Sequence, residues 1–579
     1  NKIHLVSSVK STLKFTKAFS LVSQAALDYT NTDYITENKI TRLSPVRTGG
    51  AYRWRKRNTL VQNYQALLKF EKDLSENFNF FIFGGGAYQK ISENEMYSST
   101  GNMGLLYPDW FSLNNADIRG WPGAGGRSQV TGLSRGSDVL YSVLGSATVS
   151  YKNTIYLEAQ ARNDWNSTLQ YPNYSYFYPG LSLTWNFSND FTIPKLEYGK
   201  VRFAWADVGG GPSTATGNRY FANNTFSVGQ LPYANGPVVV TPPSSLFLEM
   251  IRPFRKREFE VGFNTRWFDR SRIEVDFSFY TNNVYDQIVS QPLTPSTGYS
   301  TANINTGNVK NWGYEVFVKA APLATKNYRW DVTVTAANQF SKVIKLYNLA
   351  DKVTYTGKNV NPNVFGGVYS DFFFKGFNFH LGIDYKFGGT IFSYTNNYLM
   401  GTGVIAASLP GRDEEHGGLA YYINDVTGKK VAWQHNQPAP SEARGGIVYH
   451  DGIILDGVRE EGGSGNEKRY VKNDIIVDAP SYYGTYINDL STSWPPDRLF
   501  KNDYIKLREI SVSYTIPVKL VERLKLQKLT LTGAIRNLGY LYKTVPNIDP
   551  EGALGAQGYI ENSFYPSIRS YSLGVNVSF

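Results

Sequence analysis

The sequence predicts an all-β fold: a large antiparallel transmembrane β-barrel with long extracellular loops and short periplasmic turns. Three observations predict it. Apolar and polar residues alternate with period two through segments of about 12–18 residues, whereas soluble strands average about 5–6. Short and long connections alternate between those segments, as in outer-membrane barrels. Aromatics make up 15% of the 579 residues while charged residues stay at 18%, a balance foreign to disordered chains.

The candidate strands, about seventeen by pattern, are 2–13, 16–31, 57–72, 77–92, 138–153, 154–167, 174–188, 198–209, 254–268, 271–290, 307–320, 329–346, 366–376, 377–393, 503–517, 524–539 and 568–579. Ile155, Leu157, Ala159 and Ala161 alternate with Tyr156, Glu158, Gln160 and Arg162. Phe259, Val261, Phe263 and Trp267 are interleaved with Glu260, Gly262, Asn264 and Arg266. Ile273, Val275, Phe277 and Phe279 oppose Arg272, Glu274, Asp276 and Ser278. The run from Phe377 to Phe387 sets Phe379, Leu381, Ile383 and Tyr385 against Asn378, His380, Asp384 and Lys386. The chain closes on Tyr571, Leu573, Val575, Val577 and Phe579 in alternation with serine, glycine and asparagine.

A soluble sandwich would alternate in the same way. It has no reason to keep connections short near residues 14, 74, 153, 192, 269, 324, 376 and 520 and mostly long elsewhere, with 168–173 the exception. The principal loops are expected at about 93–137, 210–253, 394–502 and 540–567. Aromatic runs such as Tyr174 to Tyr178 and Trp267-Phe268 suit interfacial girdles. Barrels of this kind have even strand counts. An odd count, in a chain that opens on Asn1, is therefore expected to mean that an N-terminal plug and the first strands are absent from this segment, leaving 1–579 as the C-terminal portion of one barrel.

Composition narrows the function classes. With no cysteine there is no disulfide or thiolate metal framework. No run of about 18 uncharged apolar residues exists to form a membrane helix. The net charge of +11 is dispersed, so nucleic acid is not an expected partner. The short clusters Arg53 to Arg57 and Arg252 to Arg257 are expected beside strand ends, near a membrane surface.

Several stretches resemble a known family in sequence and in order. Tyr156-Leu157-Glu158-Ala159-Gln160-Ala161-Arg162-Asn163-Asp164-Trp165 is followed by Ser167-Thr168-Leu169 and Ser175-Tyr176-Phe177-Tyr178-Pro179. Then come Gly199-Lys200-Val201-Arg202, Ala206-Asp207-Val208-Gly209, Glu258-Phe259-Glu260-Val261-Gly262, Asn305-Thr306-Gly307 and Gly313-Tyr314-Glu315-Val316. The end carries Tyr504-Ile505-Lys506-Leu507-Arg508, Arg536-Asn537-Leu538, Asp549-Pro550-Glu551 and a terminal Phe579. These stretches are similar to the SusC/RagA family of TonB-dependent outer-membrane transporters. The resemblance implies a plugged barrel of about 22 strands, of which this chain would supply all but the first few. It also implies a longer glycine-rich stretch between Leu346 and Asn361 than stands here.

By resemblance, the chain is expected in the outer membrane of a Gram-negative bacterium, in contact with lipid and lipopolysaccharide. It would import oligosaccharides, the products of glycan breakdown, by TonB-dependent active transport. A SusD-like surface lipoprotein would cap the loop face, the TonB–ExbB–ExbD system would supply energy, and transporter–lipoprotein pairs would dimerise. The alternatives are an oligopeptide importer of the same family and a passive or secretory barrel without energy coupling.

No catalytic constellation, cofactor site or metal site is expected, and the chain reads as a non-enzyme. His4, His380, His416, His435 and His450 show no metal-ligand spacing, and Glu414-Glu415-His416 reads as a loop charge cluster. Gly209 to Gly211 open no helix, which a phosphate loop requires. Gly84 to Gly86 suggest a close backbone approach or a bulge, and Asn424 to Lys429 a hairpin turn. Glu158, Arg162, Glu260, Arg266, Arg272, Glu274, Asp276, Asp384 and Lys386 are candidates to line the lumen, either pairing across strands or lining a solute path. Trp110, Trp121, Tyr421, Trp433 and Trp494 are loop aromatics that could meet a substrate or partner or pack the loops.

Overall fold

The computed structural model describes residues 1–39, 50–100, 105–107, 109–116, 130–211, 227–230, 238–241, 244–247, 251–345, 359–462, 469–488, 499–552, 559–562 and 567–579. It divides into two units, one of Asn1–Val318 with Phe340–Val353 and one of Lys319–Gln339 with Thr354–Phe579.

The first unit is an antiparallel meander. Its strands are β1 (Lys2–Lys14), β2 (Phe19–Asn38), β3 (Ala51–Asp73), β4 (Phe78–Ser99), β5 (Val130–Tyr151), β6 (Ile155–Asn166), β7 (Ser175–Trp185), β8 (Leu196–Gly210), β9 (Phe254–Trp267) and β10 (Ile273–Pro292). Each pairs antiparallel with the next. β11 (Thr301–Ala324) and β12 (Tyr328–Lys345) contribute residues to both units. The second unit continues with β13 (Val364–Phe374), β14 (Phe377–Phe387), β15 (Tyr504–Ile516), β16 (Lys528–Lys543) and β17 (Ser570–Ser578), again antiparallel in chain order from β12 onward. These seventeen long strands coincide in order with the candidates read from the alternation. A three-residue piece, Ser245–Phe247, adds a parallel pairing to Thr301–Asn303 that no pattern announced.

The tight turns have a local cause. Lys152 and Asn153 both take positive φ, +50° and +53°, between β5 and β6. They are the two central residues of a turn closed by the Thr154 amide on the Tyr151 carbonyl, and with Thr154 they make a three-residue connection, Tyr151 standing opposite Ile155. Lys375 and Gly376 also take positive φ between β13 and β14, with Phe374 opposite Phe377.

The alternation resolves into two unlike faces. On β5 the side chains of Asp138, Ser142, Ser146 and Ser150 are buried, while Tyr141 and Val143 are 55% and 57% exposed. On β6 Leu157 is exposed and Asp164 is buried. A water-soluble sheet would hide the apolar set. Here the polar set is covered and the apolar set is bare, the inversion expected of strands that face lipid.

One expectation needs correction. The segment 377–393 is not one strand. β14 stops at Phe387, Gly388 and Gly389 take φ of +82° and +80°, and Thr390–Ser393 pairs with Leu499–Lys501 instead. The cluster Arg53 to Arg57 lies at the start of β3, within its first residues. Arg55 and Arg57 meet Glu95 and Glu93 on β4, so neighbouring carboxylates offset their charge and the strand continues. Arg255 and Arg257 likewise lie at the start of β9. The Gly84–Gly86 run carries no bulge, since the β3–β4 and β4–β5 registers run through it without a shift. The close approach is real: a Cβ on Gly85 would sit 2.0 Å from the Ala66 carbonyl oxygen.

The 388–503 connection folds on itself. A sheet in the order Lys430–Ala432, Leu419–Asn424, Ala443–Ile454, Ile476–Asp478 forms its centre. The turn at Asn424 is the hairpin expected there, with the Asn424 Oδ1 accepting from the backbone of Val426 and Thr427. Helix α1 (Tyr394–Gly401) is capped by Ser393, whose hydroxyl accepts from the Asn396 amide and donates to the buried carboxylate of Glu561. The carboxylate thus lies where the helix dipole favours negative charge. Nearby, Ile391, Val545 and Ile548 form a small apolar core with Phe500 against it. The stretch 346–358, where a longer segment was expected, lies outside the described residues.

Candidate functional site

The polar face of the first unit is a chain of ion pairs across strands. Arg202 on β8 bonds Asp276 on β10 at 2.8 Å and stands 3.6 Å from Glu260 on β9. Asn264 donates to Asp276 at 2.8 Å, and Arg266 bonds Glu274 at 3.2 Å. On the opposite face, in line with Trp205 and Phe259, Arg255 and Arg257 flank the buried Asp207, each at 3.1 Å. On β6 Arg162 bonds Asp164 at 2.7 Å and Ser142 at 2.8 Å, while Ser146 donates to Glu158 at 2.8 Å. Of the candidates in this unit, Glu158, Arg162, Glu260, Arg266, Glu274 and Asp276 all belong to this network. Arg272 falls in the exposed turn just before β10.

The second unit carries a denser cluster at the loop ends of β14 to β16. Arg508 bonds both Asp384 and Glu551, the latter at 2.5 Å. Glu551 also takes the Lys506 ammonium at 2.5 Å, and Lys506 is 1% exposed. Lys386 feels the charges of Glu551 and Asp503, and its side chain has no hydrogen bond or ion pair among the described residues. A polar cavity of about 500 Å3 opens beside the cluster, lined by Lys506, Asn537, Tyr540, Asp549 and Arg569 among others.

Two loop carboxylates here are held ionised. Burial works against ionisation of Asp549, but donors from Ser567, Tyr540 and the Glu551 and Ser567 amides hold its carboxyl at about 2. Glu551 is likewise disfavoured by burial, and Arg508 and Lys506 outweigh this and hold it below the usual carboxylate range.

The loop aromatics separate into two kinds. Trp110 is exposed and lies 6.2 Å from the equally exposed Tyr107. Tyr421 is buried and stacks on Tyr449, and Trp433 packs edge-on against Tyr422. Both therefore belong to the packing of the loop sheet, the second of the two roles open to them. Trp121 and Trp494 lie outside the described residues.

Sequence reading missed the hubs of both clusters. Arg202, Asp207, Lys506, Arg508 and Glu551 stand inside family-like stretches, yet nothing in their spacing says they meet. The signal that could have found Arg202 is register: a strand pairing in which a glycine, Gly262, falls opposite an arginine.

Long antiparallel strands, a bare apolar face, an ion-paired polar face and loops on alternate connections define an outer-membrane β-barrel protein. Comparison with known proteins agrees. The family model described as TonB dependent receptor-like, beta-barrel matches residues 7–538, and the chain belongs to that family. TonB-dependent receptor P3 of Formosa agariphila is 20% identical over 562 residues, covering 90% of this chain and 52% of that protein. TonB-dependent receptor SusC of Bacteroides thetaiotaomicron is 23% identical over 293 residues, 49% of this chain and 27% of its own length. Among solved structures, that of the RagAB peptide transporter superimposes with a TM-score of 0.73 at 14% identity, over 100% of this chain and 62% of that one. The chain therefore shares the SusC/RagA type of barrel, and it spans about half the length of the curated relatives it matches in full.

Proposed function

We propose that the chain is the C-terminal barrel portion of a TonB-dependent importer that takes up oligosaccharides with a SusD-like surface lipoprotein. The carrying observation is the ion-paired polar face. In a barrel of this family that face borders the lumen, and lumen charges tune what passes. Most of these charges are neutralised by neighbours across the sheet, which suits a wall that holds a plug. Lys386 stands apart as a cation whose side chain has no direct partner among the described residues, and serves the solute path. The exposed pair Tyr107 and Trp110 offers ring faces of the kind that stack on sugars. On this reading a TonB-contacting segment and plug, with TonB–ExbB–ExbD as the energy source, would lie in a longer polypeptide, a reading supported by the match covering 52% of a curated relative.

An oligopeptide substrate is the second reading, favoured by the likeness to a peptide transporter. Uptake assays decide between the two. Cells expressing the full-length protein are offered labelled oligosaccharide and oligopeptide pools, with and without a protonophore. Energy-dependent accumulation of oligosaccharide alone is expected. Accumulation of peptide alone transfers the assignment to the second reading. Uptake insensitive to the protonophore contradicts active import. A denatured mass near 65 kDa for the native polypeptide would deny it a plug of its own.

A further inference from the structure

Three segments of the 388–503 loop bring His435, His450 and Glu414 together, although they are far apart in spacing. The His435 and His450 Nδ1 atoms are 2.9 Å apart, with the rings stacked at 5.2 Å. The Glu414 carboxylate lies 3.5 Å from the His435 Nδ1, and one ligand atom from each residue falls within 4.8 Å of the others. The geometry points to a binding site for a divalent transition metal of the zinc class, held by Glu414, His435 and His450.

The donor set fits that chemistry. Two imidazoles and a carboxylate are the ligands of open three-coordinate protein zinc sites. Metal–nitrogen bonds of about 2.0–2.1 Å meeting at roughly 90–110° separate their nitrogens by about 2.9–3.4 Å. A direct hydrogen bond between the rings needs a single proton shared between the two Nδ1 atoms. A dication satisfies all three groups.

The scaffold is built to hold them. His450 sits on Ala443–Ile454, the strand flanked on both sides in the loop sheet. His435 follows Trp433, whose amide extends the ladder to the Ala420 carbonyl at 2.8 Å. Glu414 lies in a turn closed by the Gly418 amide on the Asp413 carbonyl at 2.7 Å. Gly418 presses that turn against His450, since a Cβ there would come within 2.2 Å of the His450 carbonyl oxygen. His416 is not part of the group; its Nδ1 bonds Asp413 at 2.7 Å. The metal would clip three loop segments on the loop face and keep coordination positions open to solvent, since Glu414 is exposed. This assignment is independent of what the barrel transports.

Cobalt substitution tests it. The native full-length polypeptide in detergent, stripped with chelator, is titrated with Co2+ and then with Zn2+. One saturable equivalent with visible ligand-field bands, displaced by Zn2+, is expected. The band should persist in H416Q, vanish in H435Q/H450Q and weaken by about tenfold or more in E414Q. Heat-modifiable electrophoretic mobility confirms that each barrel is intact, and E414Q, an exposed turn variant, stands in if the double variant fails that check. Absence of a saturable band, or a band unchanged in H435Q/H450Q or in E414Q, overturns the proposal.

Discussion

Arg202 on β8 reaches over β9 to bond Asp276 on β10 at 2.8 Å, and it can do so because the residue beneath it is Gly262. Gly262 stands opposite Arg202 on one side and Ser278 on the other. A Cβ there would lie 2.8 Å from the guanidinium carbon and 2.7 Å from the Phe277 carbonyl oxygen. Three strands are thus tied by one side chain.

Gly262→Ala should therefore destabilise the sheet more than a surface change does. The methyl group must displace both a side chain and backbone, for a cost of about 1–3 kcal/mol. Asp276→Asn keeps the shape and removes a charge from a half-exposed pair, so its cost should be about 1 kcal/mol or less. Urea unfolding of the refolded protein in detergent measures both, and equal midpoints for G262A and the parent would refute the steric account.

Glu551 anchors the loop that contains it. Glu551→Ala leaves the buried Lys506 ammonium without its carboxylate. Breaking a fully buried pair costs about 3–5 kcal/mol; with Glu551 partly exposed, about 2–3 kcal/mol is expected here. Hydrogen exchange should show local opening of the described residues around 544–552 and 567–569, with the β3–β5 ladders of the first unit unchanged.

The same anchor sets a pH dependence. The Asp549 carboxyl is held at about 2 when folded, against about 3.9 in an unfolded chain. A lowered folded value means that its contribution is complete above about 4 and is lost as the pH falls through the folded value. The loop should stay resistant to an acid protease near pH 4 and become cleavable toward pH 2. Asp549→Asn should remove that transition, and an identical pH profile in D549N would assign the change to other groups.

Charge on the two sheet faces should have unequal effects. Leu157→Arg places a cation on the bare apolar face of β6, where a mid-membrane Arg costs about 2–4 kcal/mol. Glu158→Gln, one residue on, alters only a polar-face hydrogen bond with Ser146, worth about 1 kcal/mol. Folding equilibria in lipid vesicles should separate the two variants by at least tenfold in population.

Much of this architecture was legible in the sequence, because period-two alternation acts on every residue of a strand that meets two different solvents. Leu157 and Glu158 declare their faces by themselves. The tight turns at Lys152-Asn153 and Lys375-Gly376 follow from the short connections expected there. What depends on two distant strands being neighbours was not legible. Arg202 and Asp276 are 74 residues apart, and only the β8–β9–β10 register makes them partners. The break at Gly388 was hidden because the apolar pattern continues through Ile391 and Phe392, which are buried in loop packing instead of facing lipid. His435 and His450 gave no metal signal for the same reason: the loop sheet, not their spacing, brings them together.

On these strands the apolar face meets lipid and the polar face meets water. The 579 residues contain no cysteine, so single cysteines along β6 can be spin-labelled without background from this segment. Accessibility to oxygen, which concentrates in lipid, and to a polar nickel complex, which stays in water, is then read at positions 155–162. A period of two is expected, with oxygen favoured at Leu157, Ala159 and Ala161 and nickel favoured at Glu158, Gln160 and Arg162. A flat profile, or the opposite phase, would contradict it.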